Sequence, residues 1–211
     1  MNKSSVNMRG IAVAVMMVVL GNGKAVMAIE KTKYKVLEKE VKIELRQYEP
    51  RIVAETFIEG DFEKVGSQGF RRLYDYISGN NRKKLSIAMT APVTQEGESQ
   101  KIAMTAPVNQ MRAGNQWRIT FIIPSEFALD DLPVPVDDRV RINQESARFV
   151  AAISCSGGWG RKRYEKNKKL LDEFIASRGL IPVGEPVWAR YDPPFMPWFL
   201  RRNEVLIPVE Q

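Results

Sequence analysis

Two short stretches of this 211-residue chain return almost a hundred positions later in the same order, and that recurrence limits the fold more than any other feature. Val41-Lys-Ile43 is answered by Val140-Arg-Ile142, and Arg51-Ile-Val-Ala54 by Arg148-Phe-Val-Ala151. Each pair is followed by glycine (Gly60, then Gly157-Gly158) and a helical pattern. The first helix is expected over about 61 to 78, with Asp61 at its N-cap and Gly79-Asn80 as its stop. Phe62, Val65, Gly69, Leu73, Tyr76 and Ile77 form its inner stripe, with Phe70 and Tyr74 beside it. The second is expected over about 160 to 177, with Tyr164, Leu171, Phe174 and Ile175 facing in and Gly179 closing it. Two long units are too few for a solenoid. They read instead as two β-β-α-β-β halves that close into a curved, barrel-like α+β layer.

The strands follow from alternation. Val41, Ile43 and Leu45 alternate with Lys42, Glu44 and Arg46, which predicts a half-buried strand with one wet face. Glu49-Pro50 turns the chain into Arg51 to Ile58. Trp117, Ile119, Phe121 and Ile123 share one face of a strand from Gln116 to Ile123, and further strands are expected at Pro186 to Tyr191 and Glu204 to Val209. Between the halves, Ile87-Ala-Met-Thr-Ala-Pro-Val93 recurs unchanged at Ile102 to Val108. The two copies read as arms of a hairpin across the polar bridge Thr94 to Gln100, each ended by its proline.

Residues 1–28 have the form of a secretory signal, and residues 29–211 then make one domain. Lys3 and Arg9 precede an apolar run, Ile11 to Leu20, that is too short to span a bilayer comfortably, and Val26-Met-Ala28 offers small residues at the cleavage site. The expectation is an exported protein, periplasmic or secreted, with no stable membrane insertion after cleavage. Three of the seven net positive charges lie in this leader, leaving +4 for the rest, so a nucleic-acid role is not expected.

The chain has no histidine and one cysteine, Cys155. Histidine triads, His-ligated zinc, His-ligated haem iron and an intrachain disulfide are therefore excluded. Cys155 alternates with Phe149, Ala151 and Ile153 and is expected to be buried and inert. Gly157-Gly-Trp-Gly160 lacks the Lys-Ser/Thr ending of a phosphate cradle. No catalytic or metal-ligating constellation emerges, so the chain reads as a binding protein and not an enzyme.

Several motifs in order resemble one known family. Phe70-Arg-Arg-Leu-Tyr-Asp-Tyr-Ile-Ser-Gly-Asn-Asn81, Ile87 to Val93, Val41 to Pro50, Val53-Ala-Glu-Thr56, Tyr191-Asp-Pro-Pro194 and Arg201-Arg-Asn-Glu-Val205 are similar to the SOUL haem-binding proteins, over about residues 31 to 209. The resemblance implies a distorted antiparallel β-barrel flanked by two helices with pseudo-two-fold symmetry, a shape shared with bacterial effector-binding domains. It implies haem or another tetrapyrrole as partner, held in an apolar groove. By position, Phe70, Leu73, Tyr74 and Ile77 would give one wall, and Phe195, Met196 and Trp198 the other, with Arg201 and Arg202 pairing propionates. Haem would be held without a histidine ligand. A module for a peptide- or lipid-like ligand, with no haem role, is the other reading the groove leaves open.

Overall fold

The computed structural model describes residues 30–83, 98–193 and 195–210. Residues 1–28, expected as a secretory signal, and the first copy of the heptapeptide lie outside the described residues. The first half contains β1 (Glu30–Lys31), β2 (Tyr34–Glu40), β3 (Ile43–Tyr48), β4 (Arg51–Ile58), α1 (Phe62–Ile77), β5 (Asn81–Arg82), β6 (Thr105–Ala106), β7 (Val108–Ala113) and β8 (Gln116–Ile122). The second contains β9 (Val134–Pro135), β10 (Arg141–Glu145), β11 (Arg148–Ser156), α2 (Arg161–Ser177), β12 (Ile181–Pro182), β13 (Val187–Arg190), a 3-10 turn (Trp198–Leu200) and β14 (Arg202–Glu210).

The main sheet is antiparallel throughout, in the order β10-β4-β8-β7-β13-β14-β11-β3-β2, with β12 added to β14. Matching β3 to β10, β4 to β11, β7 to β13 and β8 to β14 makes this order read the same outward from the β7/β13 junction. The first strand of each half pairs with the second strand of the other: β10 on β4, with Ile142 opposite Ala54, and β3 on β11, with Leu45 opposite Ala151. The result is α+β, a curled half-barrel with two helices on one face.

That face holds the main core. Trp117, Ile119 and Phe121 of β8, Ala151 and Ile153 of β11, and Val205, Ile207 and Val209 of β14 all point at the helices. α1 meets them with Phe62, Val65, Leu73, Tyr76 and Ile77, and α2 with Leu171, Phe174 and Ile175. Helix and sheet approach closely at Gly69, where an added Cβ would fall 2.4 Å from Ile119 Cγ1. Gly69→Ala should therefore lower stability by about 1–3 kcal/mol through overpacking, read as a lower urea midpoint with unchanged slope.

The structure departs from the strand pattern at three places. Val41 lies not in a strand but in the turn between β2 and β3, 87% exposed with φ of 50°. Glu40 pairs with Ile43, so Val41 and Lys42 make a two-residue turn, and such turns need positive φ at their first position. A β-branched residue is strained there. Arg46, expected on a wet face, is 1% exposed because the sheet curls and encloses its second face. The third departure is the second heptapeptide copy. Residues 101–104 form no strand, and Ile102 N–H donates to Ile77 O at 2.8 Å, closing the chain over the end of α1. Thr105–Ala106 then pair in parallel with β1, and Pro107 separates them from β7. The proline does break the ladder, and residues 101–104 form a strap across a helix end; the expected hairpin with the first copy lies outside the described residues.

Among the described residues no helix is long and apolar enough to cross a membrane.

Candidate functional site

Gly66, Phe70, Tyr74 and Ile77 recur at helical spacing along one side of α1. Phe70 is half-buried, edge-on to Phe121 at 5.3 Å between centroids, and lies parallel to Tyr74 at 5.7 Å. It thus fixes Tyr74, which is 47% exposed, against the helix. Beyond Tyr74 the strap completes a pocket of about 340 Å³ lined by Tyr74, Ile77, Ser78, Lys101, Ile102 and Met104. Asn81 holds strap and helix together. Its amide donates to Tyr76 O and Gln100 O, both at 2.7 Å, and its Oδ1 accepts from Gln100 N–H at 2.8 Å. Leu73 is fully buried and belongs to the core, so of the four α1 residues expected in the wall it offers a ligand no surface.

The segment between β13 and β14 presents its side chains outward. Phe195 is 85% exposed, Trp198 62%, Phe199 58% and Leu200 62%. Its backbone is nonetheless tied down. Met196 N–H donates to Pro193 O, Leu200 N–H to Pro197 O, Arg201 Nε to Met196 O at 2.7 Å, and Arg202 N–H to Asp192 Oδ2 at 2.6 Å. The loop is therefore an ordered frame carrying an exposed apolar cluster, a feature that soluble surfaces seldom carry without a partner. Arg201 and Met196 stay with this loop, both half-buried.

Arg202 turns to the opposite face of the sheet, where it donates to Glu204 Oε1 at 2.7 Å and lies 4.4 Å over the Tyr191 ring. Glu204 there accepts two further charged hydrogen bonds from Arg46, at 2.8 and 2.9 Å, one from Tyr191 Oη at 2.6 Å and one from Ser154 Oγ at 2.9 Å. Burial alone would raise its pKa. The donors from Arg46, Tyr191 and Arg202 outweigh burial and hold the carboxyl down to about 2. Its oxygens are fully engaged, so this cluster is structural.

Two residues that the sequence did not single out connect helix and loop. Arg190 of β13 packs against α1 at Gly66, and the Trp159 ring lies 5.5 Å from its guanidinium carbon. The same ring lies 4.5 Å from the guanidinium of Arg201. Only the bare spacing of Arg190 ahead of Tyr191-Asp-Pro-Pro194 and of Trp159 between glycines could have hinted at them.

No group of His, Cys, Asp or Glu able to hold a metal occurs among the described residues. The Cys155 thiol is pushed up to about 11 by burial. Iodoacetamide near pH 8 should label it only after denaturation, read by intact mass.

The profile of the SOUL heme-binding protein family matches residues 29–208. This chain belongs to that family. Among its relatives, Heme-binding protein 1 of Xenopus tropicalis is 29% identical over 168 residues, spanning 78% of this chain and 82% of that protein. Heme-binding protein 2 of Homo sapiens is 27% identical over 171 residues, spanning 76% and 78%. In three dimensions the chain is similar to the EcmrR C-terminal domain, with a TM-score of 0.57 at 13% identity over 84% of this chain and 98% of that one. It is also similar to a hydrolase from Listeria innocua, with a TM-score of 0.54 at 12% identity over 82% and 94%. At such identities these two establish the fold alone.

Against this SOUL background, the aromatic and apolar side chains around α1 and the 195–200 loop suit the flat face of a porphyrin. Tyr74, Ile77 and Met104 line the pocket at the end of α1, and Phe195, Trp198 and Phe199 stand exposed in the loop before β14. Haem, when bound, would supply an iron, and the chain has no histidine to ligate it.

Proposed function

We propose that this SOUL-family protein is exported and binds haem or another tetrapyrrole, without catalysing a reaction, between α1 and the 195–200 loop. The observation that carries the reading is the outward-facing cluster of Phe195, Trp198, Phe199 and Leu200 on a hydrogen-bonded frame. A flat macrocycle would cover these side chains, with burial contributing on the order of 25 cal/mol per Å². Affinity then comes from the face and edge of the ring and not from an iron–protein bond. Family membership and the two relatives named for heme binding support the ligand class.

The test is titration of hemin into purified protein. A saturable Soret shift at micromolar protein is expected, with a mostly high-spin ferric spectrum that Tyr74→Phe barely alters. No shift at that concentration would turn the groove toward a peptide- or lipid-like ligand. Export has its own test. The leader motifs motivate cleavage after Ala28, so secreted material should begin at Ile29 by intact mass. A full-length cytosolic product would contradict it.

A further inference from the structure

Buried arginines in this fold are given carboxylates. Arg46 and Arg202 hold Glu204, while Arg51, Arg118 and Arg148 share Glu145. Arg190 breaks the pattern. Its guanidinium is mostly buried between β13 and α1, and its hydrogen bond runs from Nη2 to the neutral Gln110 Oε1 at 2.6 Å. Gln110 is held in that orientation because its own amide donates to Phe62 O at 2.9 Å. The Arg190 Nε is buried and has no partner among the described residues. No carboxylate among the described residues pairs with it, and burial pulls the Arg190 pKa down to about 10.

The surroundings are built to keep that charge in place. α1 makes room at Gly66, where a Cβ would fall 2.2 Å from Arg190 Nη1. The Trp159 indole packs within 5.5 Å of the guanidinium, and its N–H is buried without an acceptor. The loop carrying Trp159 is pinned from below, where the fully buried Asn203 donates its amide to Gly157 O at 3.0 Å. The glycine-rich motif Gly157-Gly-Trp-Gly160, unfit for a phosphate cradle, thus delivers an indole to an arginine.

A buried guanidinium nitrogen without a partner and a buried N–H without an acceptor, both among the described residues, are each costly, and an anion would relieve either. We propose that Arg190 and the Trp159 indole N–H form a carboxylate site between α1 and the Gly157–Gly160 loop. Nε is the guanidinium nitrogen left without a partner among the described residues, and a carboxylate oxygen is a strong acceptor for it. That the carboxylate is a tetrapyrrole propionate rests on the reading above; the anion site does not.

The test compares the unmodified protein with Arg190→Met and Trp159→Phe, using hemin, hemin dimethyl ester and citrate as probes. Losing a charge-assisted hydrogen bond should weaken hemin binding in Arg190→Met by about 10–100-fold. Trp159→Phe keeps a ring but not the N–H, and should weaken it by a smaller factor. The dimethyl ester, which has no carboxylate, should be affected far less by either change. Equal hemin affinity in the unmodified protein and a folded Arg190→Met variant would overturn the site while leaving haem binding intact. If the unmodified protein binds no hemin, the tetrapyrrole reading fails. The site then depends on citrate at constant ionic strength, which should raise the melting temperature of the unmodified protein and not of Arg190→Met. Absence of that difference would overturn it too. Circular dichroism identifies a variant that does not fold, and Arg190→Lys, which keeps the charge but loses the fork, then replaces it.

Discussion

Replacing Glu204 with glutamine should lower the unfolding free energy by about 1.5–3 kcal/mol, the range for hydrogen bonds to a charged group. Arg46 is the charge in question. It is 1% exposed, with Nη1 and Nη2 on Glu204 and Nε on Glu44 Oε2 at 2.8 Å, so it keeps one carboxylate in the variant. Arg46→Met should cost less, because Glu204 would keep its donors from Tyr191, Ser154 and Arg202. Urea denaturation near neutral pH separates the two. The same carboxylate predicts a pH dependence. Its folded pKa, about 2, lies below that of an ordinary glutamate, so its contribution is present above the unfolded value and is lost as pH falls toward about 2. Glu44 and Glu145, also held low, fall away in the same direction. Glu204→Gln should therefore show a shallower loss of stability in acid than the unmodified protein. Equal slopes would mean that the carboxylate is not held as the geometry implies.

Trp198→Glu should act on ligand binding with the opposite economy, large on affinity and small on stability. Trp198 is 62% exposed, so its replacement should move unfolding free energy by no more than about 0.5 kcal/mol. Covering roughly 100 Å² of indole with a macrocycle is worth about 2.5 kcal/mol, so hemin affinity should fall on the order of fifty-fold. An added carboxylate beside the wall would also repel the ligand's own. Leu73→Glu cannot serve as the same test. Leu73 is fully buried, so a charge there would unfold the domain before it reported on a ligand.

The contrast between Leu73 and Trp198 shows what the sequence could and could not reveal. Helical periodicity placed α1 and α2 within a residue or so at each end, because stripes such as Val65, Gly69, Leu73 and Tyr76 leave little freedom. The recurrences of Val41–Ile43 at Val140–Ile142 and of Arg51–Ala54 at Arg148–Ala151 lead to an expectation of two similar halves, and the strand order reads the same outward from the β7/β13 junction. Periodicity cannot report curvature. Once the sheet curls, its second face is enclosed too, so Arg46 and Glu204 are buried although alternation assigns Arg46 to water. Nor can it report chain exchange between halves, or the use of the second heptapeptide copy as a strap over α1. At the groove, the aromatic loop was legible as composition, whereas its exposure was not. Arg190 and Trp159 meet only because the turn before α2 comes up against β13, a contact between positions far apart in the chain.

Hydrogen–deuterium exchange on the hemin complex tests the central claim most directly, because it reports where the ligand sits as well as whether it binds. Occupancy of the groove predicts slower exchange at the C-terminal half of α1, at residues 101–104 and in the 195–201 loop, with little change in β3 and β10 toward the two ends of the sheet. Protection confined to β3, β10 or the enclosed face around Glu204, with the 195–201 loop exchanging as fast as before, would contradict it.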